Sequence, residues 1–384
     1  MRIVAILTAL LLLLAACGRE EAPVPAPAAK NAPDFDRERT NLLNAAWGAA
    51  VVSRTAELTL ENSAMRVIDG DPTTGWSAPQ HDPKQTLTFS MAAPARIDTL
   101  GLETRPAPHE RVTSLAFEVS SDGETFEKVL DARPGKFGEP VLYDVSVPRA
   151  QYIRVTVLEG GPPFATLRTV YAHGEWLAPR TVAPLAGCWT INGNPARFFE
   201  QNGRITGVIE EDEPRLFSGG RHGEAYLLSW AKGPQWGEGF VTLTPDGNRL
   251  SALRWHEEPA EHSDGNGWFG ERLPCTPTPV EADRVWRRFL AAGGWYPLFE
   301  QDGAAVTIIE SVLERLSSQR LRLVAREHRE ATPEANRKRA EARLESLRKA
   351  LEARGIDTSL VDFVALGSDS PRRPTPSEPL RMLY

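Results

Sequence analysis

Three patterns of apolar and polar positions follow one another along the chain. From about Asn41 to Leu177 apolar residues alternate with polar ones in short runs. Examples are Gln85-Thr86-Leu87-Thr88-Phe89, Ser114 to Val119, and Tyr152-Ile153-Arg154-Val155-Thr156-Val157. Successive side chains of a strand point to opposite faces, so such runs, separated by Gly, Pro and Asp clusters, predict an all-β sandwich. A Pro-containing break, Ala178 to Pro184, leads into a second region of short strands that ends near Pro279. There Phe198, Ile205, Val208, Leu227, Leu228, Trp230, Phe240, Leu243, Leu250, Leu253 and Trp255 fall in runs. Gly-bearing turns such as Asn202-Gly203 and Asp246-Gly247 join them, which predicts an all-β hairpin meander or barrel-like domain.

After Glu281 the period becomes helical. Val306, Ile309, Val312, Leu313 and Leu316 share one face, and Leu321 to Ala325 then reads as a strand. From about Pro333, Ala340, Leu344, Leu347 and Leu351 recur along one face of a second helix. Gly355 supplies a left-handed stop, and Phe363 to Leu366 is the next strand. The order strand–helix–strand–helix–strand makes the third region α+β.

The first residues differ from all of this. Arg2 is followed by the apolar run Ile3 to Leu14, broken only at Thr8, and then by Ala15-Ala16-Cys17. The run is too short to cross a hydrocarbon core of ~30 Å as a permanent helix, so it reads as a cleaved signal peptide. Leu14-Ala15-Ala16-Cys17 resembles the lipobox of bacterial lipoproteins. That resemblance implies cleavage before Cys17 and acylation of its thiol, palmitate included. With Gly18 following the cysteine, and not Asp, it also implies sorting to the outer membrane. Several acyl chains, at ~0.8 kcal/mol per buried methylene, make a durable anchor. Gly18 to Thr40, rich in Ala and Pro, shows no apolar period and reads as a flexible tether.

Charge and cysteine content narrow the classes. The 384-residue chain carries a formal net charge of −7, which argues against a nucleic-acid partner. Of its three cysteines, lipidation of Cys17 leaves Cys188 and Cys275. In an oxidising compartment they are candidates for a disulfide, the alternative being two buried free thiols. No metal-ligand spacing involves a cysteine. His256-Glu257 resembles the opening of a zinc-protease helix motif. The next histidine, however, is His262, with Pro259 between, and that spacing cannot place both rings on one helical face. No Walker loop, dinucleotide fingerprint or nucleophile elbow is present, so the chain reads as a binding protein that needs no cofactor and is not an enzyme.

Three segments in the first region carry a family resemblance. "DGDPTTGWSA" from Asp69 to Ala78 is a tight loop delivering Trp76 onto the sandwich. Phe117 to Phe126 gives a strand, an Asp122-Gly123 turn and an aromatic return, and Ala150 to Val155 gives another strand. In this order they resemble the discoidin, or coagulation factor 5/8 type C, family. The resemblance spans about Asn41 to Leu177. It implies a jelly-roll sandwich binding glycans or membrane surfaces at its loop end, where His81, Arg105 and His109 could face a sugar. It also implies a structural Ca²⁺, with Asp71, Asp69 and Thr74 as the candidate oxygen ligands. Thr169 stands where the family usually has a further acid, and turn chemistry alone also accounts for Asp69 and Asp71. Trp76 reads as core.

The third region resembles the OmpA-like peptidoglycan-binding domain. Asn336, Arg343 and Gly355-Ile356 fall at that family's intervals from an aspartate, but His328 occupies the aspartate position. The resemblance implies that Arg343, supported by Asn336 and Arg339, grips the diaminopimelate carboxylate of a stem peptide. Where the family has an acid for the ammonium, His328 stands, and Glu327 beside it would face the other way. A solvated basic face with Glu341 and Glu345 as local partners is the competing reading of these arginines. The family also has one more strand after an Arg-containing loop, whereas this sequence ends at Arg381-Met382-Leu383-Tyr384, so either the sequence is truncated or the sheet lacks its final strand.

These readings divide the chain into a signal peptide (1–16), lipidated Cys17 with its tether (17–40), a discoidin-like sandwich (41–177), a disulfide-stapled β domain (178–280) and an OmpA-like α+β domain (281–384). They predict a lipid-anchored protein on the periplasmic side of the outer membrane. It binds peptidoglycan through the last domain and a glycan or envelope protein through the sandwich. The alternative is a non-binding envelope scaffold that mediates protein contacts.

Overall fold

In a computed structural model, the structure describes residues 41–59, 62–70, 74–79, 85–104, 112–135, 138–160, 164–201, 203–233, 235–258, 267–275, 278–291, 296–298, 309, 321–327, 333–367 and 380–383. Cys17 lies outside them. So do the expected helix around Val306 to Leu316, apart from a buried Ile309, and His81, Arg105 and His109. No helix among the described residues is long and apolar enough to cross a membrane.

The expected sandwich is present. Its strands are β1 (Ala50–Arg54), β2 (Trp76–Pro79), β3 (Thr86–Glu103), β4 (Val112–Ser120), β5 (Glu127–Ala132), β6 (Val141–Gly160), β7 (Phe164–Leu167) and β8 (Thr169–Trp176). The main sheet runs β1-β3-β6-β4-β5, β8 also pairs with β3, and β2 pairs with β7. Strand β3 turns a corner, with register shifts against β6 between Ser90 and Ala95. Pro94, which has no N–H to give a ladder, falls in that break. Beyond it β3 pairs with β8 on its other side, so the two long strands serve both layers. Trp76, Phe89 and Phe117 are fully buried between the layers, as expected for Trp76, whose Nε1 donates to Ala56 O at 2.8 Å.

The second region closes completely. Strands β9 (Gly187–Ile191), β10 (Asn194–Gln201), β11 (Arg204–Ile209), β12 (Arg215–His222), β13 (Ala225–Lys232), β14 (Gln235–Leu243), β15 (Arg249–Glu258) and β16 (Trp268–Leu273) form an antiparallel barrel, each next to its sequence neighbour, with β16 returning to β9. Alternation fixes what each face does. Phe198, Ile205, Phe217, Leu228, Trp230, Val241 and Trp268 fill the interior, with Phe217 edge-on to Trp268 at 5.0 Å. Their neighbours Phe199, Val208, Leu216 and Ala231 point outward into a different core. His256 and Glu257 lie on strand β15, so no helical zinc motif can form there.

One end of the barrel is closed by a clasp. Leu185 is fully buried, and its carbonyl accepts from Trp189 Nε1 at 2.9 Å. The Arg272 guanidinium lies 4.2 Å from the centre of the Trp189 ring. It donates to the carbonyls of Ala186 (2.8 Å), Gly247 (2.6 Å) and Pro184. Gly187, at φ +144°, leaves room for it, because a Cβ there would stand 2.4 Å from Arg272 Nη1. Cys188 and Cys275 form the expected disulfide, with a Cα–Cα distance of 5.7 Å, joining first strand to last.

Helix α1 (Pro279–Ala291) follows at once. Thr278 and Glu281 cap it reciprocally: Thr278 N donates to Glu281 Oε2 at 3.0 Å and Glu281 N to Thr278 Oγ1 at 3.4 Å. The remaining described elements are β17 (Tyr296–Leu298), β18 (Leu321–Glu327), α2 (Pro333–Ala353), β19 (Val361–Gly367) and β20 (Leu380–Leu383). The sheet order is β17-β20-β18-β19, with β18 and β19 parallel. Strand β20 corrects the sequence reading. A final strand does exist, antiparallel to both β17 and β18, and its four residues are too few to show a period. The expected α2 face is borne out: Ala340, Leu344, Leu347 and Leu351 are buried, and Gly355 ends the helix at φ +75°.

The regions are not separate globules. Ala282, Val285, Trp286 and Phe289 of α1, Leu323 of β18 and the buried face of α2 share one core with the outward-facing Phe199, Val208, Leu216 and Ala231 of the barrel. On another side, Leu253 of the barrel joins the sandwich core, and Phe240 and Phe269 pack against it.

Candidate functional site

The loop after the short 3-10 turn Ala64–Val67 holds the first predicted residues. Glu57 fixes that turn, its Oε1 accepting from Ala64 N at 2.7 Å and Ser63 Oγ at 3.0 Å. The structure brings Asp69 and Thr74 together: Thr74 Oγ1 donates to Asp69 Oδ2 at 2.9 Å, and Arg66 Nη1 stands 3.4 Å from the same oxygen. Asp71 is outside the described residues. Both contacts use the same oxygen, so Arg66 competes with any cation for that side of the Asp69 carboxylate. Among the described residues no group of three or more His, Cys, Asp or Glu is placed to hold a metal.

Thr169 opens β8, is buried, and pairs in register with Glu103. Glu103 is itself buried, 3.3 Å from Arg168 Nη1 and accepting from Tyr171 OH at 3.1 Å. Sequence reasoning missed this network, since its members are some sixty-five residues apart and only pairing of β3 with β8 joins them.

A second buried charge group sits at the barrel end opposite the clasp. Arg215, with 5% of its side chain exposed, lies 4.9 Å from the Trp230 ring centre and 3.3 Å from Glu211. Lys232 Nζ reaches the same Glu211 oxygen at 2.6 Å. Burial opposes ionisation of Glu211, but the Lys232 hydrogen bond and the Arg215 charge outweigh it and hold the carboxyl below its ordinary range.

Of the residues predicted for stem-peptide binding, Arg339 and Arg343 lie one turn apart on α2, Arg339 exposed and Arg343 half-buried. Asn336 is in the same helix, with its side chain outside the described set, and His328 lies beyond the described end of β18. Glu341 pairs with Arg337 (3.4 Å), and Glu345 with Arg348 (3.5 Å) and Lys349 (3.7 Å). Such exposed pairs contribute about 0–1 kcal/mol each.

Residues 51–169 match the F5/8 type C domain family, so the sandwich is a discoidin-like domain of that type. No curated protein matches the chain. Among solved structures, CpGH89CBM32-5 from Clostridium perfringens, in complex with GalNAc-β-1,3-galactose, is 21% identical over 35% of this chain and 100% of its own, with a TM-score of 0.31. The C-terminal domain of a chitobiase from Bacteroides fragilis is 21% identical over 34% of this chain and 96% of its own, TM-score 0.31. The family 32 carbohydrate-binding module from Streptococcus pneumoniae EndoD is 13% identical over 35% of this chain and 100% of its own, TM-score 0.30.

Proposed function

We propose that this chain is a non-catalytic, lipid-anchored protein of the outer membrane that binds a glycan through its F5/8 type C domain and peptidoglycan through its C-terminal region. The single observation that carries glycan binding is that domain, matched over residues 51–169. Its sugar contacts come from the loop end, with His81, Arg105 and His109 as the leading residues. Acylated Cys17 holds the molecule to the membrane, which rests on Leu14-Ala15-Ala16-Cys17. A structural Ca²⁺ in the Asp69–Thr74 loop would use Asp71, with Asp69 and Thr74 nearby.

What supports the peptidoglycan reading is the spacing of Asn336, Arg343 and Gly355-Ile356, together with strand β20 after a segment containing Arg372 and Arg373. The resemblance calls for a last strand in that place. Arg343 anchors a stem-peptide carboxylate through its two-pronged guanidinium. His328 weakens the site, since a protonated imidazole repels the ammonium that an aspartate would hold. One observation favours a second reading: the shared cores of sandwich, barrel and C-terminal elements suit a scaffold that presents fixed surfaces to protein partners.

A glycan array probed with the full chain tests the first claim. Binding to a defined glycan set, lost in a variant with Arg105→Ala and His109→Ala, is the expected result. No binding across the array favours the scaffold. Replacing Cys17 by Ser should release the protein from the membrane fraction, and continued retention of the processed variant would refute the anchor.

A further inference from the structure

The seam between sandwich and barrel holds an open cleft of about 470 Å³. That is within the roughly 300–1,000 Å³ typical of small-molecule sites, which concentrate at domain interfaces. Its sandwich wall is β1, where the ladder with β3 skips Val52. A bulged residue is left out of the ladder, and bulges gather next to binding sites. Its barrel wall comes from β9, β15 and β16.

Both walls are tied in place. Val51 N donates to Ser251 Oγ at 3.0 Å, and Arg249 Nη1 donates to Val52 O at 3.2 Å. The Arg54 guanidinium stacks on the Phe269 ring at 3.3 Å and is held through Nε by Glu57 at 3.1 Å. Asn192, in the β9–β10 turn, accepts from Phe269 N at 3.1 Å and donates to Gly267 O at 3.1 Å. A pocket pre-set in this way needs little ordering when a ligand enters.

The lining chemistry selects the ligand. The accessible lining is mostly polar, from Ser53, Arg54, Thr190, Arg249 and Glu271, since Val51 and Leu250 are buried in the two neighbouring cores and Arg54 covers the Phe269 ring. Charges cancel locally: Arg54 faces Glu57, and Arg249 Nε stands 3.9 Å from Glu271 Oε1. An ion would meet a charge already balanced by its neighbour, whereas a neutral ring with several hydroxyls finds hydrogen-bonding groups on both walls. We infer that the sandwich–barrel cleft lined by Ser53, Arg54, Thr190, Arg249, Phe269 and Glu271 is a second binding site, for a neutral oligosaccharide. It is distinct from the loop end, and half of it belongs to the barrel.

Isothermal titration of the full chain with N,N′-diacetylchitobiose and with lactose tests this. Ser53→Phe fills the cleft from the sandwich side and Thr190→Phe from the barrel side, so one stands in if the other fails to fold. Arg249→Ala removes a rim donor and should weaken binding about tenfold, in line with hydrogen bonds to charged groups. The expected result is binding of at least one disaccharide, lost in either filling variant and retained in the Arg105→Ala, His109→Ala variant. Wild-type affinity in the folded filling variants overturns the cleft and leaves the loop-end reading standing. Absence of any heat with both sugars overturns the cleft.

Discussion

Every barrel strand has a neighbour on both sides, whereas the sandwich sheet stops at β1 on one edge and β5 on the other. The barrel also spends its outer surface: one side buries α1 and the C-terminal sheet, and another meets the sandwich. Unpaired edges invite other chains unless something covers them. Here β1 is covered by side chains of β15, from Ser251 and Arg249. The difference assigns roles. The barrel is the frame on which the other two regions are mounted.

Core truncation tests this division most severely. Phe217→Ala in the barrel should cost about 3–5 kcal/mol, as for other buried aromatics, and Phe89→Ala in the sandwich a similar amount. Because barrel residues take part in the cores of both neighbouring regions, either change should lower one shared denaturation midpoint. Two separable transitions would mean that the barrel does not frame the sandwich.

Opening the disulfide, by Cys188→Ser with Cys275→Ser, should cost about 2–4 kcal/mol. The barrel should nevertheless stay closed, since β16 already pairs with β9 from Gly270↔Ile191 to Leu273↔Cys188. Near-ultraviolet circular dichroism reads this directly. A collapsed tryptophan signal in the double variant would show that the covalent link, not the ladder, closes the barrel. Arg272→Ala should cost about 2–3 kcal/mol by leaving the clasp carbonyls without their charged donor, and Arg272→Lys should recover only part of it. Urea titration measures both.

Smaller effects compare the Asp-Gly turns of the two regions. In the sandwich, Asp122 accepts from the backbone N–H groups of Thr125 and Glu124 and from Ser120, which lowers its pKa to about 2. In the barrel, burial opposes ionisation of Asp246, and Thr244 and Asn248 outweigh it, so that carboxyl also lies below its ordinary range. A depressed carboxylate contributes stability above its unfolded pKa and loses it as pH falls through the folded value. For Asp122 the loss therefore falls between pH 3.8 and about 2. Asp122→Asn should flatten the fall in melting temperature across that window, and an unchanged slope would remove Asp122 as its source. Least of all, Arg180→Ala at the seam, 3.2 Å from Glu224 and 4.6 Å from the Trp47 ring centre, should shift the urea midpoint by less than about 1 kcal/mol.

Local periodicity carried much of the fold. The runs around Leu87, Phe117 and Ile153 became β3, β4 and β6, and the leucines of α2 turned inward as their spacing required. The second region was legible as a hairpin meander or barrel-like domain, but not the pairing that closes it, since β16 meets β9 across some eighty residues of sequence. Helix α1 went unnoticed because Arg284, Arg287 and Arg288 dilute its short apolar stripe. Its capping pair Thr278 and Glu281 was the signal available. The loop motif located Asp69 and Thr74 together but could not show that Arg66 shares the carboxylate. The interdomain cleft was invisible for a similar reason: Arg54 and Phe269 are brought together only by packing of one region on another.

The most direct test of the proposed function is co-sedimentation of the full mature chain with purified diaminopimelate-containing peptidoglycan sacculi, for wild type, Arg343→Ala and His328→Asp. The barrel shares its core with the C-terminal elements, so the chain is used whole. Wild type should pellet with the sacculi. Arg343→Ala should weaken this roughly 10- to 150-fold, the equivalent of about 1.5–3 kcal/mol for a hydrogen bond to a charged group, and His328→Asp should strengthen it. A wild type and a His328→Asp variant that both stay in the supernatant would contradict the account and leave the scaffold reading in its place.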